Sequence, residues 1–198
     1  KNVISKGFPL TFLDHPGNQP SEDLISLGAA KVGDKHALAE ASEVIILCVS
    51  GTPQVEDVLL GENGLLKTVK PGTVIIDCST AIPSSTVAIA KQAEAVGALF
   101  MDAPMTRTPL EAEAGRLNLL VGAEVDLFGR IRPLLETFAE NIFHAGGAGS
   151  GHKLKLLHNF CSLGMVTLIG EAAACALRGG ISPEIFTEVL AKGGGYGA

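Results

Sequence analysis

A doubly wound α/β sheet followed by the start of an all-helical domain is the fold this sequence predicts, on three observations. Wholly apolar strand-like runs, EVIILCV at Glu43–Val49 and GTVIID at Gly72–Asp77, alternate with helical segments, the pattern of parallel strands covered on both faces. The alternation stops after Gly151, beyond which only helix follows. Hydrophobic residues make up 46% of the 198, and 24 are glycine; this suits a turn-rich, buried sheet and not a disordered chain.

In order, Lys1–Lys6 reads as the tail of a helix ended by Gly7 as its C-terminal cap. Phe8–Asp14 (FPLTFLD) reads as a buried strand ending in an acid. Helix tail then strand is the second half of a βαβ unit, so the opening strand and its glycine turn are expected upstream of Lys1. Ser21–Leu27 is a short helix capped by Gly28, Ala29–Val32 a strand, and His36–Ala41 a helical turn. Glu43–Val49 is the next strand, Thr52–Leu60 and Gly64–Val69 are helical, and Gly72–Asp77 is again strand. Pro83 opens a helix running to about Val96, at the position where proline is tolerated. Leu99–Asp102 and Asn118–Gly122 are strands, Glu124–Ala139 a helix and Asn141–His144 the last strand. Helices then follow over Lys153 to about Leu177 and over Ser182–Leu190. The change in pattern divides the chain into a sheet domain over 1–145 and the start of a helical domain over 146–198. The closing GGGYGA is an odd end for a folded domain, so more helix is expected beyond Ala198.

Composition narrows the function classes. A net charge of −6 argues against a general nucleic-acid or anionic-membrane surface. No apolar run is read as approaching bilayer-spanning length, and no secretory signal pattern opens the chain. Cys48, Cys78, Cys161 and Cys175 are scattered through apolar stretches with no C-x-x-C pair; this is the usage of free, buried thiols in a reducing compartment, the cytoplasm. The five histidines never approach a cysteine or each other at ligand spacing, so no metal site is expected.

The stretch GGAGSGHKLKLLHN, Gly146–Asn159, is the most informative. A glycine-rich turn opens into a long apolar helix on which Lys155 and Asn159, four apart, share a face. A primary amine beside a carboxamide makes a proton donor and an oxygen anchor; the same pair is also what a solvated helix face looks like. His158 and Asn159 interrupt an otherwise oily helix, and polar groups in that setting need a reason. The glycine run resembles a phosphate cradle, but G-x-G-x-x-G spacing fails at His152.

Several segments together resemble one family. They are FLD at Phe12–Asp14, GENG at Gly61–Gly64, PGTVIIDCST at Pro71–Thr80 and MDAP at Met101–Pro104, then EAGRLNLLVG at Glu113–Gly122 and G-x-G-x-x-x-K-x-x-x-N at Gly149–Asn159. In this order and spacing the chain is similar to the β-hydroxyacid dehydrogenases, the group of 3-hydroxyisobutyrate dehydrogenase, related to 6-phosphogluconate dehydrogenase. The resemblance implies a Rossmann-type sheet lacking here its first strand and glycine motif. It implies an NAD-dependent dehydrogenase or reductase acting on a small anionic β-hydroxy acid or its semialdehyde. Lys155 would then be the general base or acid, Asn159 the anchor of the reacting oxygen, and His158 either a substrate contact or a plain helix residue. The whole protein would form a homodimer or homotetramer, which the all-round apolar helix after Leu154 also suggests.

Ligands of open parallel sheets collect at the carboxyl ends of strands. Asp14 sits at such an end, where a carboxylate accepts ribose hydroxyls and repels a 2′-phosphate; this favours NAD over NADP. The alternative is an Asp that starts the turn before Pro16. Cys48–Thr52, with Val49 and Ser50, and Ser79–Thr80 lie at two further strand ends as cofactor contacts, with helix capping the alternative for Ser79, Thr80 and Thr52. Thr106, Arg107 and Thr108 stand where the family has a small Ser-Gly-Gly. The change resembles the Gly-Arg-Thr of sulfolactaldehyde reductases, and a guanidinium fork there would bind an oxyanion, carboxylate or sulfonate. In the competing reading Arg107 is a surface residue or pairs with Glu111, four residues later. Two rival functions remain: decarboxylating 6-phosphogluconate-type chemistry, and a non-catalytic dehydrogenase-like binding module.

Overall fold

Three strands whose every residue suits a doubly covered sheet set the frame: β3 (Val44–Leu47), β4 (Val74–Asp77) and β5 (Leu99–Asp102). They pair in parallel, with Ile46 beside Ile76 and Ile76 beside Met101, so that Leu47, Asp77 and Asp102 finish side by side. Successive side chains point to opposite faces, and both faces are packed. Ile45, Leu47, Ile75 and Phe100 form one core with Val55 and Leu59 of α4 (Thr52–Leu60) and Ile89 of α5 (Pro83–Ala95). Val74, Ile76 and Met101 form the other with Leu127, Ile131 and Leu135 of α7 (Val125–Leu135). Full burial of each such side chain is worth ~1.5–3 kcal/mol. An ionised residue at the fully buried Ile76 would therefore unravel the second core.

The computed structural model describes residues 1–14 and 20–194. Ahead of the central strands come α1 (Asn2–Ser5), β1 (Thr11–Leu13), α2 (Glu22–Ser26), β2 (Ala30–Val32) and α3 (Lys35–Ala41), the last capped by the Asp34 carboxylate. A 3-10 turn at Leu65–Lys67 follows α4. Beyond β5 lie β6 (Met105–Thr106), α6 (Pro109–Glu113), β7 (Leu117–Gly122), α7 and β8 (Ala139–Gly146). The last two helices are α8 (Ser150–Arg178) and α9 (Pro183–Lys192). Two compact units divide inside α8, Lys1–Lys155 and Leu156–Ala198, so its first turns belong with the sheet.

Four features differ from the sequence expectation. The sheet is mixed: β7 runs antiparallel to β5 and β6 and parallel to β8. Parallel and antiparallel strands buried on both faces carry the same apolar signature, so composition alone did not separate them. β6 and α6 went unread because two residues are too few for periodicity, although Thr108-x-x-Glu111 is a capping box in the sequence and in the structure. Among the described residues the sheet is also divided, with β1 and β2 paired only to each other and β3 at the edge of the larger sheet. Ile46 on β3 is accordingly 38% exposed. Finally, α8 is long and apolar enough, by length and composition only, to cross a membrane. The expectation that no run approached that length overlooked how few charges separate Leu156 from Arg178.

Candidate functional site at the carboxyl ends of the strands

The register that aligns Asp77 with Asp102 places two acids at the end of neighbouring buried strands, both essentially without solvent exposure. Asp102 caps the start of α8: its two carboxylate oxygens accept the N–H groups of Gly149 and His152, each at 2.7 Å. A negative charge at a helix N-terminus is also favoured by the aligned peptide dipoles. Burial nevertheless pushes the Asp102 carboxyl above its ordinary range, and the two N–H bonds and His152 oppose that rise. Asp77 turns one oxygen to the Ser79 N–H at 2.9 Å. Its other oxygen is buried with no hydrogen-bond partner among the described residues, and lies 3.9 Å from His152 Nε2.

His152 is fully buried between these acids. Its Nε2 lies 3.0 Å from the Ser79 carbonyl and its Nδ1 2.8 Å from the Thr86 hydroxyl. A carbonyl only accepts, so Nε2 carries a hydrogen; the Thr86 hydroxyl bonds Nδ1 and also lies 3.2 Å from the Ile82 carbonyl. Close backbone approach makes this seat possible. A Cβ on Gly151 would stand 2.1 Å from the Leu120 carbonyl, and one on Gly122 2.3 Å from Asp102 Oδ1. Gly149 turns the chain into α8 at φ +89°, a left-handed conformation that glycine adopts without strain.

One turn beyond His152, Lys155 is half-buried, and desolvation holds its ammonium below the ordinary lysine range. Asn159 and His158 follow on the same continuous helix in the second unit, where His158 Nδ1 and Asn159 Oδ1 lie 3.3 Å apart.

The other strand ends are arranged as follows. Asp14, just past β1, pairs with Lys31 of β2 at 2.5 Å. The Ser79 hydroxyl accepts the Val49 N–H at 3.0 Å, tying the β3 and β4 ends together. Ser50 and Thr80 are exposed, and their hydroxyls take part in no hydrogen bond among the described residues. The Thr52 hydroxyl accepts the Ile82 N–H at 2.8 Å, joining the start of α4 to the residue before α5. These free hydroxyls, with the N-terminus of α4 between them, suit a polar ligand at the sheet edge. No G-x-G-x-x-G turn occurs in the chain.

In the segment after β5, Thr106 Oγ1 accepts from the Asn118 amide at 3.0 Å, and Asn118 Oδ1 accepts in turn from Asn141 at 2.9 Å. The Thr106 hydroxyl donates no hydrogen bond among the described residues. Arg107 adopts φ +82°, left-handed for a non-glycine residue, where the Ser-Gly-Gly pattern would put glycine. Its guanidinium donates to the Arg116 carbonyl and pairs with Glu140, not with Glu111. Thr108 is a helix cap: its hydroxyl donates to Glu111 and accepts the Leu110 N–H. Sequence reasoning missed Asp77, Asp102, Thr86 and His152. The signal was present, since VIID and LFMD are apolar strands ending in acids, as FLD is.

A buried parallel core with polar groups at its carboxyl edge defines the class as a nucleotide-binding α/β protein. Residues 1–147 match the family described as the NAD binding domain of 6-phosphogluconate dehydrogenase. The chain belongs to this family, within the β-hydroxyacid dehydrogenases that its motifs resemble. It is 34% identical over 173 residues to the 2-hydroxy-3-oxopropionate reductase of Escherichia coli (strain K12), covering 87% of this chain and 59% of that protein. It is likewise 34% identical over 172 residues to the 3-hydroxyisobutyrate dehydrogenase of Pseudomonas aeruginosa, covering 87% of this chain and 58% of that one. Among solved structures it is similar to the Mycobacterium tuberculosis 3-hydroxyisobutyrate dehydrogenase with L-serine. The TM-score there is 0.85 at 27% identity, over 96% of this chain and 64% of that one. The chain thus spans less than two thirds of the length of these relatives.

Proposed function

We propose that the protein is an NAD-dependent dehydrogenase or reductase of a small β-hydroxy acid or its semialdehyde. The observation that carries this is Lys155, a lysine whose ammonium burial holds below the ordinary range, one turn from a helix start fixed to the ends of β4 and β5. The nicotinamide supplies the hydride acceptor or donor when bound. Lys155 takes the hydroxyl proton in oxidation and returns it to the carbonyl oxygen in reduction. Asn159, on the same helix face by spacing, holds the reacting oxygen. Asp14 receives the ribose hydroxyls, with Lys31 keeping the carboxylate in place; Val49, Ser50, Ser79 and Thr80 line the cofactor side.

The acid group of the substrate is taken by Thr106 and Arg107. An entering carboxylate replaces Glu140 on the guanidinium, and the free Thr106 hydrogen completes a two-point grip. With the Thr108 hydroxyl committed to α6, two donor groups remain, matching the two oxygens of a carboxylate better than the three of a sulfonate. The names of the relatives in E. coli and P. aeruginosa support the same substrate class. Phe160, Leu163, Val166 and Leu168 on α8 are each at least 65% exposed, which supports a homo-oligomer for the whole protein. Steady-state kinetics with NAD and NADP on 3-hydroxyisobutyrate, L-serine and matched sulfonates test the proposal. Turnover of the carboxylates with NAD is expected. Activity with none of them, or equal activity of a Lys155→Ala variant, refutes it.

A further inference from the structure

We infer that His152 is a positioning residue that couples the cofactor-side strand ends to the turn of α8 bearing Lys155; this rests on the reading of Lys155 just given. The inference stands on a continuous chain of contacts. The Val49 N–H donates to the Ser79 hydroxyl, and the Ser79 carbonyl receives His152 Nε2–H. The imidazole is held from its other side by Thr86 of α5, and its own backbone N–H ends on Asp102. One buried ring therefore bonds to the end of β4 and to α5, while its backbone is pinned to the end of β5. Lys155 follows three residues later, on the adjacent turn.

The position is over-determined for a merely space-filling residue. His152 is fully buried yet keeps both ring nitrogens satisfied, and buried polar groups are costly unless satisfied in this way. It lies among two buried acids, 3.7 Å from Asp102 and 3.9 Å from Asp77. The Asp77 oxygen that lies 3.9 Å from Nε2 has no hydrogen-bond partner among the described residues. An apolar residue of the same volume would leave the Ser79 carbonyl without a partner among the described residues and the Thr86 hydroxyl with only the Ile82 carbonyl, 3.2 Å away. A shift of the strand ends at Val49 and Ser79 is thus transmitted to the helix start through a rigid ring and not through a flexible chain. Misplacement by about 1 Å can cost roughly a hundredfold in rate, so a seat this tight has a use at Lys155.

The test is a double-mutant cycle on the whole enzyme, using His152→Gln and Lys155→Ala with NAD and whichever of 3-hydroxyisobutyrate or L-serine is turned over. Glutamine retains one of the two ring hydrogen bonds and so guards against outright unfolding. Thr86→Val, which removes the Nδ1 partner and a longer bond to the Ile82 carbonyl but leaves the ring itself in place, is a second and milder probe. For His152→Gln we expect kcat to fall about ten- to a hundredfold with substrate KM near wild type. Amide exchange over 149–155 should accelerate in step, and Thr86→Val should move both readouts the same way by less. In the Lys155→Ala background His152→Gln should have almost no further effect on kcat, because groups acting as one unit are non-additive. An equal further loss in that background overturns the coupling, as does unchanged kcat with a lowered melting temperature. If Lys155→Ala alone keeps normal turnover, the functional reading of Lys155 fails. An unchanged exchange rate in His152→Gln instead marks failure of the positioning inference.

Discussion

Replacing Asp102 by asparagine swaps one oxygen for an NH2 group in a site that presents two donors. The carboxylate receives Gly149 N–H on one oxygen and His152 N–H on the other, each at 2.7 Å. Asparagine keeps one of these and turns an amide donor against the second. The loss is one hydrogen bond to a charged group, ~1.5–3 kcal/mol, which already includes most of the cost of stranding a buried N–H. Part of it is returned, because the ionised carboxylate is itself disfavoured by burial, as its raised pKa shows. A net destabilisation of about 2 kcal/mol remains, which for a chain of this size lowers Tm by roughly 4–8 °C. The pH dependence has a definite sign. A carboxyl raised in the folded state adds most stability when protonated, and that contribution fades as pH climbs from the ordinary aspartate value through the raised one. The stability gap between wild type and Asp102→Asn should therefore be wider near pH 4 than near pH 8. Urea or thermal unfolding of both proteins across that range, followed by circular dichroism, measures it. A difference below about 0.5 kcal/mol at every pH, the size of an ordinary surface substitution, would refute the capping argument.

Lys155→Ala should lower kcat by ~10²–10⁴-fold while leaving NAD affinity nearly unchanged, as stopped-flow and binding titrations would report. Because burial lowers the Lys155 ammonium, the wild-type oxidation rate should rise with pH to a plateau reached below the ordinary lysine range. The reduction rate should fall across the same interval, and both limbs should vanish in the variant. Arg107→Gly should leave Tm within a few degrees of wild type. Relief of the left-handed backbone, ~1–2 kcal/mol, roughly offsets a part-exposed ion pair of ~0.2–1 kcal/mol and a carbonyl bond of similar size; substrate KM should nevertheless climb about tenfold or more. Glu140→Gln should act oppositely on KM by removing the internal competitor for that guanidinium, and a KM that rises instead would show Arg107 facing elsewhere. Asp14→Ala should erode the preference for NAD over NADP, measured as the ratio of kcat/KM, with Lys31 left free to meet a 2′-phosphate.

The central strands were legible because their signal is local and repeated: continuous apolar runs at Val44–Leu47 and Val74–Asp77 can be little else. The helix caps at Gly7 and Gly28 were legible for a different reason, since a positive φ narrows the choice of residue. Strand direction at β7 was not legible, being decided by which neighbour the strand meets and not by its own residues. The acids Asp77 and Asp102 were quoted as parts of motifs, yet what they bind lies 47 or 50 residues away for Asp102, beyond any periodicity. His152 was noticed only for spoiling a glycine pattern; its partners at Ser79 and Thr86 are visible only once the chain is folded. Arg107 was read from its charge, its departure from Ser-Gly-Gly and its spacing to Glu111; its pairing with Glu140, 33 residues away, and its left-handed backbone are visible only in the fold.

The division of the sheet has a consequence for how the protein behaves in company. β3 is bonded along one side by β4, and its other side offers a ladder of N–H and C=O groups with no partner strand among the described residues. Val44–Leu47 carries no charge, proline or bulge, the devices by which natural edges discourage recruitment. A strand added at that margin would complete the ladder and cover Ile46, which is 38% exposed, so this side of β3 is suited to receive a strand and not to face water.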